Sequence, residues 1–68
     1  MDDIIQRIGL NISKRRIELK LTQTELAYRC GFEKQNMYRI EKGKTNPTIK
    51  TLLIISKELN IDITEIIK

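Results

Sequence analysis

The fold of this chain is decided by residues 21–44, which read LTQTELAYRCGFEKQNMYRIEKGK. Thr22 and Glu25 form a capping-box pattern, in which a hydroxyl and a carboxylate satisfy backbone N–H groups at the start of a helix. Gly31 follows at the position where a left-handed residue commonly ends a helix. The pattern therefore predicts a short helix over residues 22–30 that stops at a turn.

The next segment is predicted to be a helix over residues 34–42, and its outer side has an uncommon composition. Met37 and Ile40 share the inner side. The outer and flanking positions carry Lys34, Gln35, Asn36, Tyr38 and Arg39. The alternative interpretation is that this side of the helix is simply exposed to solvent. A helix side of that kind needs only charged residues such as glutamate and lysine. Amides, a phenol and an arginine together favour a surface that contacts a polar, negatively charged partner.

Helical spacing continues on both sides of this pair of helices. The first helix is predicted to be capped by Asp2 or Asp3 and to end near Lys20, and Thr48 and Asp62 are predicted to cap a fourth and a fifth helix. Helical spacing predicts one buried aliphatic stripe on each of the first and fourth helices: Ile5, Ile8, Ile12 and Leu19, then Leu52, Ile55 and Leu59. The fifth helix carries Ile63, Ile66 and Ile67. No stretch alternates cleanly between apolar and polar residues, so the fold class is predicted to be all-α.

The composition bounds the size and the partners of the protein. With 68 residues, the chain is expected to form one domain over residues 1–68, and 40% apolar residues suffice for one small aliphatic core. The net charge of +4 favours an anionic partner, either nucleic acid or a membrane surface. The longest apolar run, residues 52–55, is too short to span a bilayer. The basic residues do not oppose a broad aromatic-rich face, so we expect no membrane contact.

Residue types that carry chemistry are scarce in this chain. It has no histidine and a single cysteine, Cys30, which excludes an internal disulfide and fits a reducing, cytoplasmic location. Without a cluster of cysteine and histidine, we expect no metal site. No Gly-rich phosphate loop or carboxylate cluster is found, so we predict that the protein is not an enzyme. We also expect no cofactor and no small-molecule ligand, and we expect Cys30 to be a small core residue.

The stretch LTQTELAYRCGFEKQNMYRIEKGKTNPTIKTLLIISKELNID, residues 21–62, resembles the Cro and phage-repressor type helix-turn-helix domain, also called the XRE family. The resemblance extends over about residues 8–67. Its markers are Leu21-Thr22-Gln23, Glu25-Leu26-Ala27, Gly31, Ile40-Glu41, Gly43, Pro47 and Thr51-Leu52-Leu53. It implies a five-helix lambda-repressor-like bundle, whose helix-turn-helix places its second helix in the DNA major groove.

The resemblance also implies a role for each matching position. Base edges are expected to be read by Lys34, Gln35 and Arg39. Contacts to the DNA backbone are expected from Gln23, Asn36, Tyr38, Lys42, Lys44, Thr45 and Asn46. Arg16 and Glu41 are expected to form a largely buried pair that ties the first helix to the end of the third. The alternative for Arg16 is a side chain that extends into solvent.

Four positions depart from the family's pattern, and at two of them, Cys30 and Ser56, alanine is common. Lys20 stands where Gly is common, which predicts a strained turn after the first helix. Glu33 replaces the Ser or Thr that usually caps the recognition helix. Its carboxylate suits the helix dipole but lies close to where phosphate approaches. It is therefore expected either to lower affinity or to accept a bond from a cytosine amino group.

Two functions remain open at this stage. The first is a sequence-specific DNA-binding transcriptional regulator, a repressor that binds double-stranded DNA at an inverted-repeat operator as a homodimer. Its dimer surface is expected to contain Ile54, Ile63 and Ile67, because ideal helix geometry places Ile54 nearly opposite the buried stripe of its helix. The alternative is an antitoxin or accessory module that uses the same fold mainly to hold another protein.

Overall fold

The computed structural model describes residues 3–68 and contains five α-helices in that range. They are α1 (Asp3–Glu18), α2 (Gln23–Cys30), α3 (Lys34–Glu41), α4 (Ile49–Glu58) and α5 (Ile63–Ile67). The predicted all-α class is confirmed, and the bounds of α2 and α3 lie within one residue of the predicted ones. The cap predicted at Asp2 lies outside the described residues, as does the side chain of Asp3.

Capping groups set the two ends of α2. The Glu25 carboxylate accepts a bond from the Thr22 N–H (2.8 Å), and the Thr22 hydroxyl accepts one from the Glu25 N–H (3.0 Å). The bond from the Thr22 backbone contributes most to lowering the pKa of the Glu25 carboxyl. At the other end, Gly31 has a φ of 75°, a left-handed conformation that glycine adopts without a Cβ penalty. The chain therefore reverses within residues 31–33 and enters α3.

The core is aliphatic, as the composition predicts. Its buried apolar residues are Ile8, Ile12, Leu26, Ala27, Met37, Ile40, Leu52, Ile55, Leu59 and Ile66. The predicted place of Leu19 on the buried stripe of α1 is wrong, because α1 ends at Glu18 and Leu19 lies exposed in the turn that follows. Every helix contributes to the core, so each short helix is held by tertiary packing rather than by its own propensity.

Two turns contain a residue other than glycine in the left-handed region. Lys20 has a φ of 60° after α1, and Asn60 has a φ of 57° after α4. Asparagine tolerates this conformation well, whereas a lysine there costs about 1–2 kcal/mol. The strain expected at Lys20 is therefore present. A backbone bond from the Leu21 N–H to the Arg16 carbonyl (3.1 Å) holds the turn closed.

The helices α1 and α3 approach closely at Gly9, a residue that the sequence pattern does not single out. A Cβ at this position would lie 2.5 Å from the carbonyl oxygen of Glu41 and 2.7 Å from that of Ile40. Because glycine has no side chain, α1 can pass directly over the C-terminal end of α3. The position of α3 in the fold therefore depends on a residue outside the helix-turn-helix itself.

Polar side chains of α1 bind carbonyl groups at the ends of α4 and α5. Arg15 Nε donates to the Leu59 carbonyl (3.0 Å), and Asn11 Nδ2 donates to the Ile66 carbonyl (2.8 Å). Helix C-termini leave carbonyl groups without intrahelical partners, and a guanidinium also suits the negative end of the helix dipole. Because α1 packs on both α3 and α5, it connects the helix-turn-helix to the end of the chain.

Candidate nucleic-acid interface

The outer side of α3 is exposed along the length of the helix. Its inner side is buried through Met37, Ile40 and Glu41. The exposed side chains are Lys34, Gln35, Asn36, Tyr38 and Arg39. All three residues predicted to contact bases therefore lie on the exposed side of one short helix, whose other side is packed against the core. Their contact with DNA stays a prediction.

The first residue of α2 belongs to the same surface. Gln23 lines a shallow groove together with Lys34, Gln35 and Tyr38. The capping box at Thr22 fixes where α2 begins, and it thereby places Gln23 beside α3. The groove joins a residue predicted to bind phosphate with residues predicted to read bases.

A buried carboxylate joins α1, α2 and α3 behind this surface. Glu41 accepts bonds from Arg16 Nε (2.8 Å), Arg16 Nη2 (3.0 Å) and Gln23 Nε2 (3.1 Å). The side chains of Arg16 and Glu41 are 13% and 3% exposed, so Arg16 does not extend into solvent. Arg16 also donates through Nη1 to the Leu21 carbonyl (2.8 Å). The amide of Gln23 thus points one N–H at Glu41 and retains a second for an outside acceptor.

Basic side chains continue the surface beyond the end of α3. Lys42 and Lys44 are exposed, and each ammonium nitrogen lies 5.8 Å from the centroid of the Tyr38 ring. In the loop before α4, Asn46 is exposed and Thr45 is half-buried. The residues predicted to contact the DNA backbone therefore extend from α2 across α3 into this loop.

Comparison with known proteins assigns the family. Residues 12–66 match the helix-turn-helix family model. This chain belongs to the helix-turn-helix family of transcriptional regulators. An HTH-type transcriptional regulator of Sinorhizobium fredii is 34% identical over 65 residues, which are 96% of this chain and 84% of that protein. Another from Archaeoglobus fulgidus is 36% identical over 55 residues, 81% of this chain and 78% of that protein. The resemblance found in the sequence is confirmed.

Two solved structures of restriction-modification controller proteins have the same fold as this chain. The restriction-modification controller protein C.Esp1396I, solved as a tetramer in complex with its natural 35-base-pair operator, superimposes with a TM-score of 0.86 at 30% identity. That match covers 100% of both chains. The controller protein C.AhdI from Aeromonas hydrophila gives a TM-score of 0.88 over 94% of this chain and 96% of that one. At 23% identity, this second likeness concerns the fold alone.

The recognition helix of this helix-turn-helix protein begins without a side-chain cap. Glu33 occupies the N-cap position with an extended backbone, but its carboxylate accepts no capping bond. Within residues 3–68, no Lys or Arg lies within salt-bridge distance of Glu33. The carboxylate is exposed and has neither a capping bond nor a salt bridge there. Both roles expected for it, lowering the affinity for DNA or accepting a bond from a cytosine amino group, require such a carboxylate.

Exposed aliphatic side chains of the helix-turn-helix protein lie on α1 (Ile4, Leu10 and Ile17) and also on α4 and α5. Ile67 is 36% exposed, whereas Ile54 is half-buried and Ile63 packs partly against the core. The most exposed aliphatic residues of α4 are Ile49 (63%) and Leu53 (50%), which the sequence reasoning missed. Their spacing of four residues is the signal that could have identified them, because such residues share one side of a helix.

Neither a membrane-spanning helix nor a metal-binding cluster was found in the part of the chain that the structure describes. No helix there is both long enough and apolar enough to cross a membrane. Among the described side chains, those of cysteine, aspartate and glutamate form no group of three that could hold a metal ion.

The thiol of Cys30 is expected to react slowly in the folded protein. It is half-buried against the core, and burial, with a smaller effect from Glu58, raises its pKa from 9.0 to about 11. Because the thiolate is the reactive form, although a higher pKa also makes it a better nucleophile, alkylation by iodoacetamide at pH 8 should be about 10-fold slower in the native protein than in urea. Equal rates in the native and unfolded states would contradict this burial.

Proposed function

We propose that this helix-turn-helix protein is a sequence-specific DNA-binding regulator that represses transcription in the cytoplasm, as a homodimer on an inverted-repeat operator. The observation that carries this proposal is the exposed outer side of α3, where base-matching side chains lie next to lysines. The complex of C.Esp1396I with its operator supports it, since the two chains match end to end at 30% identity. We also propose that the protein has no catalytic activity.

Three side chains of α3 have the chemistry to read bases. In the major groove, adenine presents one donor and one acceptor, which pair with an amide such as that of Gln35. Guanine presents two acceptors, which pair with the donors of Lys34 or Arg39. A good bidentate pair discriminates by about 1–3 kcal/mol against the wrong base. We therefore assign adenine recognition to Gln35 and guanine recognition to Lys34 and Arg39.

Contacts to phosphate would fix α3 in the groove. Lys42 and Lys44 carry charges that attract any duplex, and this attraction weakens as salt rises. Gln23 can donate its second N–H to a phosphate while the first stays on Glu41. Asn36, Thr45 and Asn46 complete this set as neutral donors on the helix and its loop. These contacts would set the register of the protein without selecting a sequence.

Dimerisation would place two recognition helices on one side of the duplex. We assign the dimer surface to aliphatic side chains of α4 and α5: the half-buried Ile54 and Ile63 and the exposed Ile67, joined by the exposed Ile49 and Leu53. Two-fold symmetry then requires half-sites about 34–36 Å apart, one turn of DNA. An operator read in this way has the form of an inverted repeat.

The second candidate is an antitoxin or accessory module that uses the same surface for another protein. The exposure of Ile49 and Leu53 is the observation that favours it, because apolar side chains on a small domain often mark a protein interface. Sedimentation of the purified protein separates the two candidates. A dimer that binds DNA supports the regulator, whereas a strict monomer without DNA affinity at low salt supports the module.

Selection of bound DNA from a random pool tests the proposed function. The purified protein should enrich one motif with two inverted half-sites, and the enriched duplex should bind at least about 1,000-fold more tightly than an unrelated sequence. Failure to enrich any motif, at salt concentrations where the protein is folded, would overturn sequence-specific binding.

Replacing Gln35 with alanine is expected to change the motif rather than abolish binding. Loss of the amide removes the pairing with adenine, so the preference at one base pair of each half-site should fall by about 5- to 100-fold. The comparison is made by repeating the selection with the variant. If the motif of the variant equals that of the natural protein, Gln35 does not read a base.

Replacing Lys44 with alanine is expected to have the opposite pattern of effects to the Gln35 variant, because it removes a phosphate contact rather than a base contact. The ammonium group is expected to meet phosphate, so its loss should weaken all sequences similarly and leave the motif unchanged. The slope of log affinity against log salt should fall by about 0.9. A changed motif with an unchanged slope would instead assign Lys44 to base reading.

A further inference from the structure

Tyr38 lies where two lysines of different backbone segments meet. Lys42 is the C-cap of α3, and Lys44 follows the turn at Gly43. A backbone bond from the Lys44 N–H to the Arg39 carbonyl (2.9 Å) returns the chain toward α3. Both ammonium nitrogens then lie at 5.8 Å from the centroid of the same aromatic ring.

An aromatic ring at this distance attracts a cation. The face of the ring is electron-rich, and an ammonium within about 6 Å of the centroid is attracted to it. Tyr38 as a residue is 42% exposed, so it packs partly against the protein and is partly accessible to the lysines. Two like charges would otherwise move apart and sample many rotamers, because lysine is among the most flexible side chains.

We propose that Tyr38 is a positioning residue, which holds the ammonium groups of Lys42 and Lys44 where adjacent DNA phosphates pass. This inference rests on the proposed DNA binding and explains how the backbone contacts are organised. A lysine that is already confined near its phosphate loses less freedom on binding, and the gain appears as affinity. This role replaces the direct contact to the DNA backbone that the resemblance implies for Tyr38. The ring acts through the two lysines, and the hydroxyl contributes little.

Two substitutions of Tyr38 separate the ring from the hydroxyl. Tyr38→Phe keeps the ring and is expected to bind the selected operator within 2-fold of the natural protein. Tyr38→Leu keeps an apolar contact but removes the π face, and its Kd is expected to rise about 10-fold. If the two variants lose affinity equally, the hydroxyl contacts DNA directly and the positioning role is overturned.

The salt dependence and a double-mutant cycle test the link to the lysines. Tyr38→Leu should leave the salt slope unchanged, because both lysines still reach phosphate, whereas Lys44→Met should lower it by about 0.9. In the Lys44→Met background, Tyr38→Leu should cost clearly less affinity than it does in the natural protein. An equal cost in both backgrounds would overturn the coupling between the ring and Lys44.

Tyr28 provides the matched control. It is 85% exposed on α2, and no Lys or Arg of residues 3–68 lies over its ring. Tyr28→Leu should therefore leave both affinity and salt slope unchanged, and a loss equal to that of Tyr38→Leu would overturn the proposal.

A measurement without DNA keeps the test independent of affinity. In the free protein, the ring of Tyr38 should shift the methylene proton resonances of Lys42 and Lys44 upfield. Those shifts should persist in Tyr38→Phe and vanish in Tyr38→Leu, and shifts that do not depend on the ring would overturn the proposal. A natural protein that binds no DNA at all would refute the proposed function, whereas normal binding with equal Phe and Leu variants refutes this inference alone.

Discussion

Replacing Glu41 with alanine is expected to destabilise the protein by about 3–5 kcal/mol, because the substitution leaves the buried guanidinium of Arg16 without a counter-charge. Glu41 accepts two bonds from Arg16 and one from Gln23, and its side chain is 3% exposed. Small domains have about 5–15 kcal/mol of total stability, so this loss is a large fraction. Urea unfolding followed by circular dichroism measures it through the shift of the midpoint at constant slope.

Glu65→Ala is the matched control for this substitution. Glu65 also pairs with a cation at 2.8 Å, but the side chains of Glu65 and Lys68 are 54% and 66% exposed. Exposed pairs contribute about 0–1 kcal/mol, so the control should unfold almost as the natural protein does. Equal losses in the two variants would contradict a special role for the buried pair.

Gly9→Ala is expected to destabilise the protein by about 1–3 kcal/mol, as overpacking does. Alanine would normally stabilise a helix interior by about 1 kcal/mol relative to glycine. Here the added Cβ would lie 2.5 Å from the Glu41 carbonyl oxygen, and backbone cannot move as easily as the end of a side chain. Either α1 or the C-terminal end of α3 must shift. Urea unfolding again measures the loss.

The sign of the stability change in Gly9→Ala tests whether α1 and α3 approach each other closely at this residue. Lys14→Ala, at an exposed position of the same helix, should change stability by no more than about 0.5 kcal/mol. If Gly9→Ala instead stabilised the protein by about 1 kcal/mol, as at a free helix surface, the close approach of α1 to α3 would be refuted.

Local signals were sufficient to predict the helices. The capping box at Thr22 and Glu25 and the turn at Gly31 depend on neighbouring residues only, so the sequence reveals them. The outer side of α3 was predictable for the same reason, because Met37 and Ile40 define its buried side. The strain at Lys20 followed from a comparison of this sequence with the family's pattern.

Features that depend on packing between helices were not predictable. Gly9 shows no local signal in the sequence. A side chain there is excluded only by the backbone of α3, which lies against Gly9 where α1 crosses it. Ile54 is half-buried although ideal geometry places it opposite the core, since α4 packs against both α2 and α5. The proximity of Lys44 to Tyr38 depends on how the chain turns after α3.

Methylation interference on the selected operator tests most directly whether the outer side of α3 contacts base edges in the major groove. Guanine N7 lies in the major groove and adenine N3 in the minor groove, so methylation at each atom reports one groove. We predict that N7 methylation of at least one guanine in each half-site blocks binding, and that Arg39→Ala or Lys34→Ala removes this sensitivity. Binding blocked only by adenine N3 methylation, or by neither modification, would contradict the placement of α3 in the major groove.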